Sequence, residues 1–344
     1  MLNLVYGVSG SGKTVYLMDR IREDIQNGKR CYLLVPEQQA YISEFDVPRI
    51  FPKNARLYFE VVHFSGLAEK IFRTYGGVTH ESLQNGMKSI LMWDTLRSLA
   101  PFLEEYRQSA GKDAGLVPLM LQAINELRMN GIDSQKLQEL SDGLPNNNSL
   151  KRKLSDLAMI ESTYKQQLDA CMGSDLPDRL LRMAEKLEQN QFFAGANVYV
   201  DSFTSFTMQE YRVLKQILRQ SDTVTLSICM DKLSSTLPHF KSPIQTSLNL
   251  LRMAQEMNIP AKKHALLPQN TEKSPVLAML ERDLWRFDLR KENREIFSDE
   301  EKKAVKMISC KNLYEEAEAA ALNILGLSQR GIPYGEIAVV VRDL

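Results

Sequence analysis

Net charge is the first thing this sequence lacks: 43 Lys and Arg are balanced by 43 Asp and Glu in 344 residues. No global field draws the chain to nucleic acid, so any such contact has to come from local placement of side chains. Cysteine is scarce too. Cys31, Cys171, Cys229 and Cys310 are far apart and form no C-x-x-C pair. That argues against a zinc or iron–sulfur site and against a disulfide framework, and for reduced cytosolic thiols. No apolar run approaches the roughly 18 residues of a membrane span. The N-terminus enters a strand pattern directly, without the charged and apolar regions of a signal peptide. A cytoplasmic protein with no membrane partner is the expectation. Internal repeats and low-complexity tracts are missing as well. What is present is a folded chain, 44% hydrophobic, long enough for two or perhaps three domains.

The most informative stretch is at the start. Leu2 to Tyr6 reads as a short buried strand, and Gly7-Val8-Ser9-Gly10-Ser11-Gly12-Lys13-Thr14 matches G-x-x-x-x-G-K-[ST] at every fixed position. Glycines in such a loop let the backbone wrap a phosphate chain with its N–H groups pointing inward, and the lysine adds a point charge. The helix that follows would aim its positive end at the same phosphates and lay Val15, Met18, Ile21 and Ile25 on the sheet. Thr14 would offer a hydroxyl to Mg²⁺. ATP and Mg²⁺ are therefore the expected ligands.

Strand and helix patterns alternate from there. Cys31 to Val35 and Leu57 to Val62 read as strands, Gln38 to Asp46 and Ser65 to Tyr75 as helices, so a parallel sheet with covered faces is expected. From about Ser82 to Gln191 the pattern is helical, with Met87 to Leu99, Leu116 to Asn130, Leu150 to Cys171 and Asp178 to Asn190 as its clearest segments. Asn146 to Ser149 reads as a loop that caps the next helix. The α/β pattern resumes with the strand Asn197 to Val200, a helix from Thr207 to Arg219 and the strand Thr223 to Ile228. The expected organisation is an α/β domain over 1–81 and 192–266, split by an all-helical insertion over 82–191. A connector over 267–303 and the first part of a second α/β domain over 304–344 follow, with strands at 304–308 and 336–341 around a helix from Glu315 to Leu327. Because the chain stops just after that last strand, it is expected to be the N-terminal part of a longer protein.

A phosphate loop needs a second acid for the metal, placed at the carboxyl end of a neighbouring strand. Asp201, directly after an apolar strand, is the candidate; a helix-capping aspartate is the plainer alternative. Many motor ATPases carry a glutamate at the next position to orient the attacking water. Here Ser202 stands there, so nucleotide binding with slow or absent hydrolysis is expected.

Five segments occur in a telling order: Gly7 to Thr14, Leu34-Val35-Pro36-Glu37-Gln38, Val62-His63-Phe64-Ser65-Gly66-Leu67-Ala68, Val200-Asp201-Ser202-Phe203-Thr204-Ser205-Phe206-Thr207-Met208-Gln209-Glu210-Tyr211, and Ile337 to Arg342. Together the chain resembles the N-terminal part of the AddB family, also called RexB. Its members are B subunits of bacterial ATP-dependent helicase/nucleases that process DNA double-strand breaks for homologous recombination. The resemblance implies a superfamily 1 helicase-like architecture: a RecA-like domain 1A, a helical domain 1B inserted into it, and then a second RecA-like domain. It implies a heterodimer with an AddA-type subunit that supplies translocation, contact with single-stranded DNA and DNA ends, and recognition of the Chi recombination hotspot. The family's iron–sulfur nuclease would lie beyond these residues. Gln38, His63, Phe64 and Phe203 fall in the segments that line the single-strand path in the family, where rings can stack on bases. An ordinary place in the core or at a helix start is the alternative for the aromatic residues and for His63. Arg342 is a weak candidate for sensing the nucleotide.

Two readings from other classes remain. In a phosphate-loop small-molecule kinase the insertion would serve as a lid, although no arginine-rich cluster suited to that task is visible. In a scaffold, ATP would stabilise the fold without being hydrolysed.

Overall fold

The computed structural model describes residues 1–38, 57–77, 81–146, 148–171, 173–174, 176–267, 274–285 and 297–341. The helix expected over 38–46 lies outside these beyond Gln38, as does Arg342. The chain forms two compact units, 1–270 and 271–344.

The first unit is built on a six-stranded, all-parallel sheet: β1 (Leu2–Gly7), β2 (Arg30–Leu34), β3 (Phe59–Val62), β4 (Ala196–Val200), β5 (Thr223–Cys229) and β6 (Ala261–Ala265) in the order β3-β2-β4-β5-β1-β6. The inner strands are mostly apolar on both faces, as a sheet covered on both sides requires, with Asn3, Asn197, Thr225 and Ser227 among the polar exceptions. β6 departs from that rule. Its sequence is Ala-Lys-Lys-His-Ala, largely exposed, and it docks in register on β1 from Leu2↔Ala261 to Tyr6↔Ala265. An edge strand can be this polar because backbone pairing holds it and charged side chains blunt its free edge.

Helix α1 (Lys13–Gln26) covers one face by burying Leu17 and Ile21 beside Val5, Leu33 and Tyr199. The expected stripe is corrected at its first position: Val15 is 60% exposed and Leu17 takes the buried place. Near the end of α1, Asp24 accepts hydrogen bonds from Asn197 Nδ2 at 2.6 Å and from Tyr199 OH at 2.5 Å, joining the helix to β4. The other face is covered by α2 (Phe64–Tyr75), α7 (Leu176–Gln189), α8 (Met208–Gln220) and α9 (Lys241–Glu256).

Between α2 and α7 run α3 (Asn85–Leu99), α4 (Leu116–Met129), α5 (Ser134–Asp142) and α6 (Ser149–Ala170). α3, α4 and α6 share a core of their own, with Met92, Leu96, Ile124, Ile160 and Tyr164 buried in it. Asn148 caps α6 by accepting from Leu150 N–H at 2.9 Å, as its place in the loop suggested. Buried Asp156 accepts from the N–H groups of Glu104, Glu105 and Tyr106 at 2.9–3.1 Å and so fixes the α3–α4 connection. A two-residue parallel ladder, Glu81–Ser82 with Gly173–Ser174, ties together the two chain segments that lead into and out of this bundle. α7, although helical like its predecessors, sits elsewhere: Leu180, Met183, Ala184 and Leu187 are buried in the sheet's core. Arg128 at the end of α4 reaches it, donating from Nη2 to Asp178 at 2.6 Å while its Nε lies 3.5 Å from Glu161 of α6.

The second unit contains α10 (Pro275–Asp283), the short α11 (Asp299–Lys302) with a Ser298/Glu301 capping box, and α12 (Leu313–Gln329), capped by Asn312. The two runs expected as strands, 304–308 and 336–341, form no ladder among the described residues. Apolar β-branched sequence is necessary for a buried parallel strand, but a strand exists only where a neighbour completes its hydrogen bonds. No helix among the described residues is long and apolar enough to cross a membrane.

Candidate functional site

The loop motif occupies the turn between β1 and α1. Gly10 and Gly12 both have φ 78, a left-handed conformation that a side chain would strain. Gly7 is needed for another reason: a Cβ there would lie 2.3 Å from Ser11 Oγ and 2.8 Å from the Leu266 carbonyl. Lys13 Nζ donates to the carbonyls of Gly7 at 2.9 Å and Val8 at 2.8 Å. Its ammonium is thus folded over the loop. Ser11 Oγ is buried and has no hydrogen-bond partner among the described residues.

Asp201 is brought to this loop across 187 positions of sequence, and Thr14 Oγ1 donates to its Oδ2 at 2.9 Å. Asp201 is only 6% exposed. No Lys, Arg or His among the described residues lies within ion-pair distance of it. A buried carboxylate whose side-chain partners among the described residues are hydroxyls suits a site that takes a cation. Thr14 and Asp201 are the pair that could hold one, beside backbone N–H groups that could hold phosphate. The cleft they line has a volume of about 440 Å³ and is walled as well by Ser202, Phe203, Ser227 and Cys229.

Ser227 and Cys229 were not singled out from sequence. β5 lies between β1 and β4, so its alternate side chains meet both the loop and Asp201; Ser227 Oγ donates to Asp201 Oδ1. The available signal was Thr225-x-Ser227-x-Cys229, small hydroxyl and thiol groups at period two in a strand whose neighbours carry one asparagine each, Asn3 and Asn197, among apolar residues. Ser202 adopts φ 67 and is exposed, turning the chain sharply after the acid.

The residues considered for a single-strand path divide into two groups. Gln38 is exposed at the end of the described segment that follows β2. His63 is the N-cap of α2: Gly66 N–H donates to its Nδ1 at 3.2 Å, and Glu37 Oε1 lies 3.8 Å from the same nitrogen. Phe64 is 7% exposed and packs edge-on against Phe203, with centroids 5.8 Å apart, and against Phe206 at 6.4 Å. Its ring belongs to the core, whereas Phe203 is half-buried and reaches the cleft.

A parallel sheet of this order, bearing the loop motif and the acid at the carboxyl ends of its strands, is that of a RecA-like α/β domain with a helical insertion. The chain belongs to the family described as ADDB, N-terminal, whose model matches residues 4–281. Among curated relatives, the B subunit of the ATP-dependent helicase/deoxyribonuclease of Acetivibrio thermocellus is 30% identical over 353 residues. Proteins of the same name from Clostridioides difficile and from a Thermoanaerobacter species are 29% identical over 360 and 28% over 353 residues. Each alignment takes in 100% of this chain and 30% of the relative, so the chain spans less than a third of their length.

Proposed function

We propose that this chain is the ATP-binding, helicase-like region of a B subunit that acts with an AddA-type partner in processing DNA double-strand ends. The observation that carries the nucleotide part is the Thr14–Asp201 hydrogen bond at 2.9 Å, which joins the loop to an acid from the other half of the split domain. In this reading the N–H groups of Gly7 to Thr14 and the Lys13 ammonium hold the phosphates, while Thr14 and Asp201 hold Mg²⁺. The metal, when bound, neutralises charge on the β- and γ-phosphates. Hydrolysis by this site is slow or absent, because Ser202 stands where motor enzymes carry an acid and a serine hydroxyl is a poor base at neutral pH.

Single-stranded DNA runs past the carboxyl ends of the strands in the same reading, with Gln38, His63 and Phe203 the residues best exposed to meet it. Phe64 supports Phe203 from behind. A Chi-reading role would use this same face. Among the described residues, the side chains walling the cleft include no arginine, so they lend the kinase alternative no support. The scaffold alternative differs from the main reading only in kinetics and in its indifference to DNA.

The test is ATP binding by calorimetry with Mg²⁺, on the parent chain and on Lys13→Ala, followed by phosphate release with and without single-stranded DNA. We expect binding that Lys13→Ala weakens at least about 100-fold, the loss of a charge-assisted contact of ~3 kcal/mol, and no DNA-stimulated release. Brisk stimulated release would overturn the slow-hydrolysis reading. Binding unchanged by Lys13→Ala would overturn the site itself.

A further inference from the structure

The acid of the candidate site has two hydroxyl partners, and only one belongs to the loop motif. Thr14 takes Asp201 Oδ2 at 2.9 Å, and Ser227 takes Oδ1. The register makes the second contact possible. Val200 pairs with Leu226 across the β4–β5 ladder, so the next residue on each strand, Asp201 and Ser227, stand side by side where the sheet opens into the cleft. Ser227 is 2% exposed, and its hydroxyl has that carboxylate as its hydrogen-bond partner.

The two bonds are not equivalent. A cation shared by Thr14 and Asp201 would take a lone pair of Thr14 Oγ1, which its donated O–H leaves free, and would compete with that O–H for Oδ2. Ser227 approaches from β5 and touches the other oxygen, so its bond can persist with or without the metal. Besides the Thr14 and Ser227 bonds, Asp201 is anchored by its own backbone N–H, which donates to the Leu34 carbonyl at 3.0 Å and does not itself set the orientation of the carboxylate. A hydroxyl in the middle of a central parallel strand, where Val, Ile or Leu would pack better, also calls for a polar reason.

We propose that Ser227 is a positioning residue for the divalent cation: it holds the Asp201 carboxylate in one orientation so that the metal meets a preformed ligand. The proposal rests on the nucleotide reading above. Hydrogen-bonded partners of metal-ligating carboxylates typically contribute about 10–100-fold to metal affinity.

The experiment is calorimetric ATP binding over a Mg²⁺ titration, with the parent chain, Ser227→Ala and Ser227→Thr. Ser227→Ala should raise the Mg²⁺ concentration for half-maximal enhancement by about 10-fold or more, while ATP affinity in EDTA, which depends on the loop and Lys13, stays at the parent value. Ser227→Thr keeps the hydroxyl and should restore the parent Mg²⁺ dependence. Ser227→Cys keeps the volume but donates weakly, and should reproduce the shift even if Ser227→Ala folds poorly. A parent-like Mg²⁺ dependence in both Ser227→Ala and Ser227→Cys, with only a lower melting temperature, makes Ser227 a packing residue and overturns the proposal. Failure of the parent to bind ATP in a Lys13-dependent way is a different result: it overturns the nucleotide reading, and this inference falls with it.

Discussion

Ser202 is one of two non-glycine residues, among those described, held at positive φ, and it directly follows the buried acid. A left-handed conformation costs an L-residue about 1–2 kcal/mol, and strain of this kind tends to be kept where a turn must aim functional groups. Here the turn directs Ser202, Phe203 and Thr204 to the cleft wall. Replacing Ser202 by Gly should therefore raise the stability of the chain by up to about 1 kcal/mol, and Ser202→Val should lower it by about as much or more, both read as shifts in denaturant midpoint. A fall in stability for Ser202→Gly would mean that the hydroxyl makes a contact worth more than the strain. At this scale the turn between β1 and α1 was legible from the glycines of its motif, two of which the structure holds at φ 78. Asp201 was legible from its place after an apolar strand. Ser227 was not, since its role depends on which strand lies beside β4, and order within a parallel sheet is not written in local sequence. Phe64 and Phe203 look alike in sequence, and only packing separates the ring in the core from the one at the cleft.

Elements are held by small polar clusters as well as by apolar stripes, and the one around Asp24 joins α1 to β4. Asp24 receives Tyr199 OH and Asn197 Nδ2, with Cys31 Sγ 3.9 Å away. Burial, followed by the nearby Asp24 charge and its hydrogen bond, pushes the Cys31 thiol from about 9 up to about 12. Burial and the bond to Asp24 also raise the Tyr199 phenol above its usual range. In both groups the folded state favours the proton. Their contribution is fully present below the pKa of the unfolded thiol and is lost as pH rises toward the folded value, by at most about 1.4 kcal/mol per pH unit for Cys31. The denaturant midpoint should accordingly fall between pH 9 and 11, and Cys31 should resist Ellman's reagent at pH 8 until the chain unfolds. Asp24→Asn removes the charge but not the burial that contributes most, so it should lessen the alkaline slope without abolishing it. A slope unchanged by Cys31→Ala would place the titrating group elsewhere. Most helices were readable from their periodicity, but β6 was not. Ala-Lys-Lys-His-Ala has no apolar alternation, and its strand character comes from the open edge of β1 rather than from its side chains.

At the scale of the whole chain, the split of the sheet domain was legible as a change from alternating strands to unbroken helix, but the seam of the insertion was not. Sequence grammar assigns every helix from 82 to 191 to the inserted part. Packing divides them: α3, α4 and α6 bury their apolar faces in a core of their own, while Leu180, Met183, Ala184 and Leu187 of α7 fill the core beneath the sheet. The Glu81–Ser82 and Gly173–Ser174 ladder brings the two crossing segments side by side, just before α7 begins. We therefore propose that the insertion ends near residue 174 and that α7 is part of the α/β domain. Replacing residues 83–172 with a short Gly/Ser linker should leave a folded unit with Lys13-dependent ATP binding, because the loop, Asp201 and Ser227 all sit on the retained sheet. The junction ion pair between Arg128 and Asp178 is lost in that variant. Breaking a buried pair from one side costs about 3–5 kcal/mol, and Asp178, 18% exposed at its side chain, would then face the water left by the bundle, so the cost should fall at the low end or below. Extending the excision to residue 191 removes Leu180, Met183 and Leu187 of α7, at roughly 1.5–3 kcal/mol each, together with the smaller Ala184, a loss comparable to the lower end of the roughly 5–15 kcal/mol stability of a typical domain. The second variant should be unfolded or molten by circular dichroism. Equal behaviour of the two excisions, both folded and binding ATP, would show that α7 is dispensable to the sheet and restore the seam to the end of the helical stretch.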